Sequence, residues 1–117
     1  LRQANLTGAC LFNANLRECN LAHANLARAI LEGASMVNVN LSNARLARAK
    51  IDKAVIPGAN FENAYLNHAD LSGANLQQAR NLTSNQIETT FINRETLFPD
   101  TIPIVWISDT EYEFGST

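Results

Sequence analysis

Few side chains in this sequence could do chemistry, and their placement decides how much. His23, His68, Cys10 and Cys19 are the raw material of a zinc site, which needs three or four such ligands converging on one point. They do not fall at a metal-binding spacing, and no glycine loop of the phosphate-cradling kind accompanies them. Nor does any Ser–His–acid arrangement of a covalent hydrolase stand out. The triplets beginning at Asn5, Asn40 and Asn81 fit the N-x-S/T pattern, but a chain rich in Asn-Leu-x produces these by chance. What remains is charge. Glu32 and Asp52 could work as a carboxylate pair, and Arg28, Arg45 and Arg48 could hold an anion if the fold brings them together.

The elements that must position these residues show in one regular feature. From Leu1 to Arg80 the chain keeps a five-residue register without insertion or deletion, with a large apolar residue at Leu1, Leu6, Leu11 and every fifth position to Leu76. Two residues before each of these, from Leu6 onward, sits Ala, except for Cys19 and Val39. A period of five is neither the 3.6 of a helix face nor the 2 of a strand. Interleaved Asn, Gly, Asp and Ser favour turns. A backbone that turns once per repeat and returns the same side chain inward is a coil of short straight segments joined by corners, stacked along an axis. Glycines at the corners are then explained by positive φ.

Bulk properties narrow the function classes. The 117 residues suit one domain, with 46% hydrophobic but only 7% aromatic content, a composition for a narrow and regular interior. Residues 1–80 carry eight Lys/Arg against five Asp/Glu, or +3, and residues 81–117 carry one against six, or −5. The net −2 does not imply a polyelectrolyte partner. The longest apolar run, Ile104 to Ile107, is far too short to span a bilayer, so no membrane role is expected. Cys10 falls at an outward register position and Cys19 in the small inward column. A disulfide between them is not expected, and a reducing compartment is the simpler reading.

The units Ala4-Asn5-Leu6-Thr7-Gly8, Ala24-Asn25-Leu26-Ala27-Arg28, Ala69-Asp70-Leu71-Ser72-Gly73 and Ala74-Asn75-Leu76-Gln77-Gln78 resemble the A(D/N)LXX repeat of pentapeptide repeat proteins. The resemblance covers about two thirds of the chain. It implies an all-β solenoid, a right-handed quadrilateral β-helix with four repeats per coil, so that residues 1–80 form four coils, roughly 19 Å tall at the usual strand spacing. On that frame Cys19 and Val39 stack directly, which suggests a locally widened corner. Asn20, Asn40 and Asn60 stack as a column expected to form an amide ladder.

Residues 81–117 read as an end-piece of the same domain. Asn81 stands where Leu is due, and Thr83 with Gln86 forms a capping box, flanked by Leu82 and Ile87 at staple spacing. A short helix is expected from about Ser84 to Phe91, docked on the open last coil, with Ile102 to Ile107 extended along the coil. Leu82 to Ile87, then Thr96-Leu97-Phe98-Pro99 and Trp106, resemble the tails of cyanobacterial pentapeptide repeat proteins, although Ser84 replaces their usual Pro. Residues 113–117 have the composition of a cloning remnant.

The four-repeat frame sorts the outward residues into faces. The face centred on Leu6, Leu26, Leu46 and Leu66 displays Asn25, Arg28, Arg45, Arg48, Tyr65, Asn67 and His68 without any acid. Arg28 and Arg48 stack one coil apart, where like charges repel unless a counter-anion sits between them. The neighbouring face stacks Glu32 over Asp52, with Lys50 and Lys53 alongside. A convex wall offers no pocket to desolvate an acid, so a solvated charge cluster is expected there. Cys10, Phe12 and Ile30 form a small apolar spot suited to a contact with the tail. His23 and His68 lie on different faces and cannot share a metal, and no cofactor is implied.

These observations argue for a non-catalytic protein-interaction or scaffold module, with Arg28, Arg45, Arg48, Tyr65 and His68 as the binding face and another protein as partner. The alternative implied by one family branch is a DNA mimic that binds gyrase, as in quinolone resistance, but mimicry needs an acidic solenoid. Nucleic acid is not favoured, because aromatic residues are sparse on the basic face and the tail is acidic. A monomer, or a weak end-to-end dimer through the uncapped first coil, is expected. The expected location is cytoplasmic, or the thylakoid lumen or periplasm if a targeting segment precedes Leu1, where the chain begins in mid-register without Met.

Overall fold

The computed structural model of the chain describes residues 1–115. Each pentapeptide makes one tight turn, closed by a bond from the small residue's N–H to the carbonyl three residues before, as from Ala24 N to Leu21 O at 3.0 Å. The residue between them and nearest the small one always has positive φ, whether it is Gly58 (76°), Arg28 (61°) or His68 (60°). This is the type II turn, in which the third position must be left-handed. Ile56-Pro57-Gly58-Ala59 carries its preferred residues, with Pro57 supplying a preset φ. A left-handed φ costs a non-glycine residue about 1–2 kcal/mol. The strain is therefore built into most repeats, and only Gly8, Gly33, Gly58 and Gly73 among these positions avoid it.

Stacking offsets it. Parallel bridges join residues twenty apart all along the coil, from Asn5↔Asn25 to Asn60↔Arg80. Leu26 N–H donates to Arg45 O at 2.7 Å, and Arg45 N–H donates to Ala24 O at 2.9 Å. Inside, every large repeat residue from Leu21 to Leu76 is at most 1% exposed, while Leu1 in the first coil is 62% exposed. The small column is buried beside it because a larger group would strike the turn. At Cys19 and Val39 the closing bonds are 3.1 and 3.2 Å, against 2.9–3.0 Å at most others, but Ala54 (3.2 Å) and Ala59 (3.4 Å) close as loosely, so the length does not follow the larger residue.

The expected amide ladder does not form. Asn20, Asn40 and Asn60 instead each accept, through Oδ1, the N–H two residues on, at 3.0, 3.0 and 3.1 Å. Asn25, Asp70 and Asn75 do the same. A local Asx turn satisfies a donor that the coil leaves outward, and so Asn or Asp is favoured at this position of the repeat.

Past Arg80 the coil continues irregularly. Asn81 (φ 61°) adds one residue, and Phe91 then bridges Asp70 and Leu97 bridges Asn75. Helix α1 spans Ser84–Glu88, shorter than expected, with Thr89 as its C-cap. Phe91 leaves the helix, because its N–H and C=O pair with Ala69 O and Leu71 N on the coil edge, at 2.9 and 2.7 Å. It stays 59% exposed. The capping box is present, and the Gln86 amide also donates to Phe61 O at 2.9 Å and Ala64 O at 3.0 Å. Gln86→Ala leaves the backbone half of the box but removes the side-chain bonds to Thr83 N, Phe61 O and Ala64 O, and is expected to lower stability by about 2 kcal/mol, read from the urea midpoint.

The tail does not run along the coil. Strand β1, Ile104–Trp106, pairs antiparallel with β2, Tyr112–Phe114, in a hairpin. Ile104 and Phe114 pack against the core, and Ile102 is 3% exposed. An isolated two-stranded hairpin is marginal in water, so this docking holds it. Arg94 helps, pairing with Asp109 at 3.3 Å and lying 5.5 Å from the Trp106 ring centre. Consequently the tail leaves Phe12 uncovered, 54% exposed, with Cys10 also exposed. Glu113 and Phe114 of the expected remnant are part of β2, whereas Ser116 and Thr117 lie outside the described residues.

Candidate functional site

The wall built on Leu26, Leu46 and Leu66 is positioned by backbone alone. Arg45 bridges Asn25 on one side and Tyr65 on the other, which sets these three in one column. Arg28, Arg48 and His68 occupy the left-handed turn position of successive coils, φ 60–61°, and form a second column. Between the columns lie Ala27 and Ala47. Asn25, Ala27, Arg45, Ala47, Tyr65 and Asn67 line an open groove of about 490 Å³. Arg28, Arg45, Arg48, Tyr65 and His68 are all exposed, Tyr65 by 60%. All five residues singled out from the sequence thus meet on one surface.

The electrostatics of this surface are one-sided. Among the described residues the one ion pair is Arg94 with Asp109, so none of the three wall arginines has a carboxylate within reach. Adjacent coils hold Arg28 and Arg48 about 4.8 Å apart at the backbone, closer than a Debye length. The end-piece sets the lower limit of this surface. His68 N–H donates to Thr89 O at 2.7 Å, which brings the C-terminus of α1, and with it Glu88, to the lower end of the wall. The acid-free surface therefore ends at Glu88. Beneath it, burial and then the nearby Glu88 charge raise the Tyr112 phenol above its ordinary pKa. The His68 and Phe91 rings lie 6.2 Å apart, so Phe91 extends the wall's aromatic edge.

The other candidates do not converge. Glu32 and Asp52 are half-buried on adjacent coils, and Gly33 N–H donates to the Asp52 carbonyl at 3.1 Å. Neither Lys50 nor Lys53 forms an ion pair with them. Asp52 Oδ1 is buried without a hydrogen-bond partner among the described residues. No group of three His, Cys, Asp or Glu side chains among the described residues could hold a metal. Cys10 and Cys19 are free thiols.

Sequence reasoning missed the hairpin face. Ile104, Trp106, Tyr112 and Phe114 point inward, and Val105, Ile107, Glu111 and Glu113 point outward. The signal was there as period-two alternation on both sides of Ser108-Asp109-Thr110.

A profile described as pentapeptide repeats, with eight copies, matches residues 9–51 and 44–80. Among solved structures, a pentapeptide repeat protein from the thylakoid lumen of Arabidopsis thaliana superimposes with TM-score 0.69 at 23% identity, covering 92% of this chain and 71% of that one. QnrB1, a plasmid-mediated fluoroquinolone resistance protein, gives 0.60 at 15% identity, covering 85% and 59%. HetL, a pentapeptide repeat protein involved in heterocyst differentiation regulation in the cyanobacterium Nostoc, is 33% identical over 68% of this chain and 47% of its own, with TM-score 0.43. No curated protein matches. None of the described helices is long and apolar enough to cross a membrane.

Proposed function

The chain belongs to the pentapeptide repeat family, and from that premise we propose that it is a non-catalytic interaction module whose arginine wall binds an acidic surface of another protein. The observation that carries this is a set of three exposed guanidinium groups, Arg28, Arg45 and Arg48, fixed by backbone stacking and lacking any partner carboxylate. Folding gains nothing from such a cluster, since like charges one coil apart repel. A complementary acidic surface turns that repulsion into attraction and speeds encounter. Tyr65 and the Ala27–Ala47 floor supply apolar contact, the mixture typical of binding surfaces. We read the scaffold as a right-handed quadrilateral β-helix of four coils closed below by α1 and the hairpin, a reading supported by the twenty-residue bridge spacing. The free Cys10 and Cys19 support a reducing, cytoplasmic setting.

The likeness to QnrB1 is one of fold. A DNA mimic presents rows of negative charge, and the coils carry +3 (eight Lys/Arg against five Asp/Glu in residues 1–80). The test is a pull-down with the wild type and an Arg28→Ala/Arg45→Ala/Arg48→Ala variant. Partners captured by the first are expected to be lost with the second at low salt. Recovery of the same proteins by both removes the wall from the account.

A further inference from the structure

The hairpin's outer face sets an apolar row beside an acidic row, as the wall sets its alanine floor beside the Arg28–Arg48 column. Val105 in β1 and Ile107 just after it are 46% and 61% exposed, and Glu113 in β2 and Glu111 just before it face the same way. Val105 lies directly opposite Glu113, and Ile107 N–H donates to Glu111 O at 2.8 Å. The face is thus an apolar pair flanked by two carboxylates, and neither glutamate has an ion-pair partner among the described residues. The wall is an alanine-floored groove with Tyr65, flanked by arginines that are likewise unpaired. Residues 1–80 sum to +3 and residues 81–117 to −5.

We propose that one copy of the chain docks the outer face of its hairpin onto the arginine wall of a second copy. Val105 and Ile107 lie over Ala27, Ala47 and Tyr65, while Glu111 and Glu113 meet Arg28 and Arg48. Along a strand, alternate residues are about 6.6–6.8 Å apart, and adjacent coils are about 4.8 Å apart, a mismatch that long Arg and Glu side chains absorb. The contact uses two different surfaces, so a docked pair still offers one free wall and one free hairpin, and association propagates from copy to copy. The patch is small and largely ionic, which makes the association weak and salt-sensitive. This inference rests on the wall being a protein-docking surface, and names a second copy as its occupant.

Sedimentation velocity over a concentration series tests it. Two charge-reversed variants are needed, Arg28→Glu/Arg45→Glu/Arg48→Glu and Glu111→Lys/Glu113→Lys. Glu already stands at the left-handed turn position as Glu18 (φ 61°), so reversal there adds no new backbone demand. Circular dichroism checks that both fold as the wild type does. The wild type is expected to form larger species as its concentration rises at low salt. Either variant alone should associate roughly tenfold or more weakly, and an equimolar mixture of the two should associate again. A wild type that stays monomeric at low salt overturns the proposal, as does association indifferent to the reversals or a mixture that fails to recover it. A monomeric wild type that still captures a partner through intact arginines rejects only self-pairing, and leaves the wall as a docking surface.

Discussion

Phe61→Ala is expected to lower stability by about 3–5 kcal/mol, the cost of emptying a large buried site. Phe61 is among the largest fully buried side chains in the lumen, one coil below Leu41, whose N–H donates to Asn60 O, and Leu82 is buried in the same core. The Phe61 carbonyl also receives the Gln86 amide at 2.9 Å. The cavity therefore loosens both the last regular coil and the docking of α1. In a stacked repeat each coil contacts only its neighbours, so the loss is concentrated at the C-terminal end. The thermal midpoint should fall by on the order of 10 °C or more, and amide exchange should accelerate first in residues 81–97. Leu6→Ala is the control, since Leu6 is only half-buried in the open first coil, and its cost should be well under half as large. Equal costs for the two would mean that the lumen is not closed from one end only.

Ala49→Leu and Ala47→Leu, two residues apart, are expected to do opposite things. Ala49 is fully buried in the small inward column, beside Ala29 and Ala69 in the adjacent coils. A larger side chain there meets the turn itself, and overpacking should cost about 1–3 kcal/mol. Ala47 lines the outer groove instead. Leucine there leaves stability within about 0.5 kcal/mol, but it fills the floor between Arg45 and Arg48 and should abolish capture of a partner. Chemical denaturation and pull-down on the same two variants read both halves. A stability loss at Ala47 would show that the groove floor belongs to the core.

The contrast between these two alanines explains what could be read from the sequence and what could not. Ala49 belongs to a column that repeats without exception on its face, so its inward direction was legible from spacing alone. The wall was legible too, once the resemblance to pentapeptide repeat proteins supplied the twenty-residue coil that puts Arg28 over Arg48. The strain at Arg28, Arg48 and His68 was not, since φ varies with position in the turn and not with residue type, and only the glycines advertise it. The Asn20–Asn40–Asn60 column misled for a related reason. A stacked amide can bond upward or within its own turn, and the outward N–H two residues on is nearer. Phe91 looked helical by spacing, but two coil-edge hydrogen bonds outweighed one more helical turn. Beyond Arg80 the register gives way, and with it the basis for placing Glu88 at the foot of the wall.

The central claim is that an unpaired arginine wall on a rigid coil receives an acidic protein surface. Its most direct test is a titration of the isotopically labelled chain with a glutamate-rich peptide, followed residue by residue by nuclear magnetic resonance. The account predicts shifts confined to Arg28, Arg45, Arg48, Tyr65, His68 and the alanines between them, fading as salt is raised. Shifts spread over other faces, or an undisturbed wall, would contradict it.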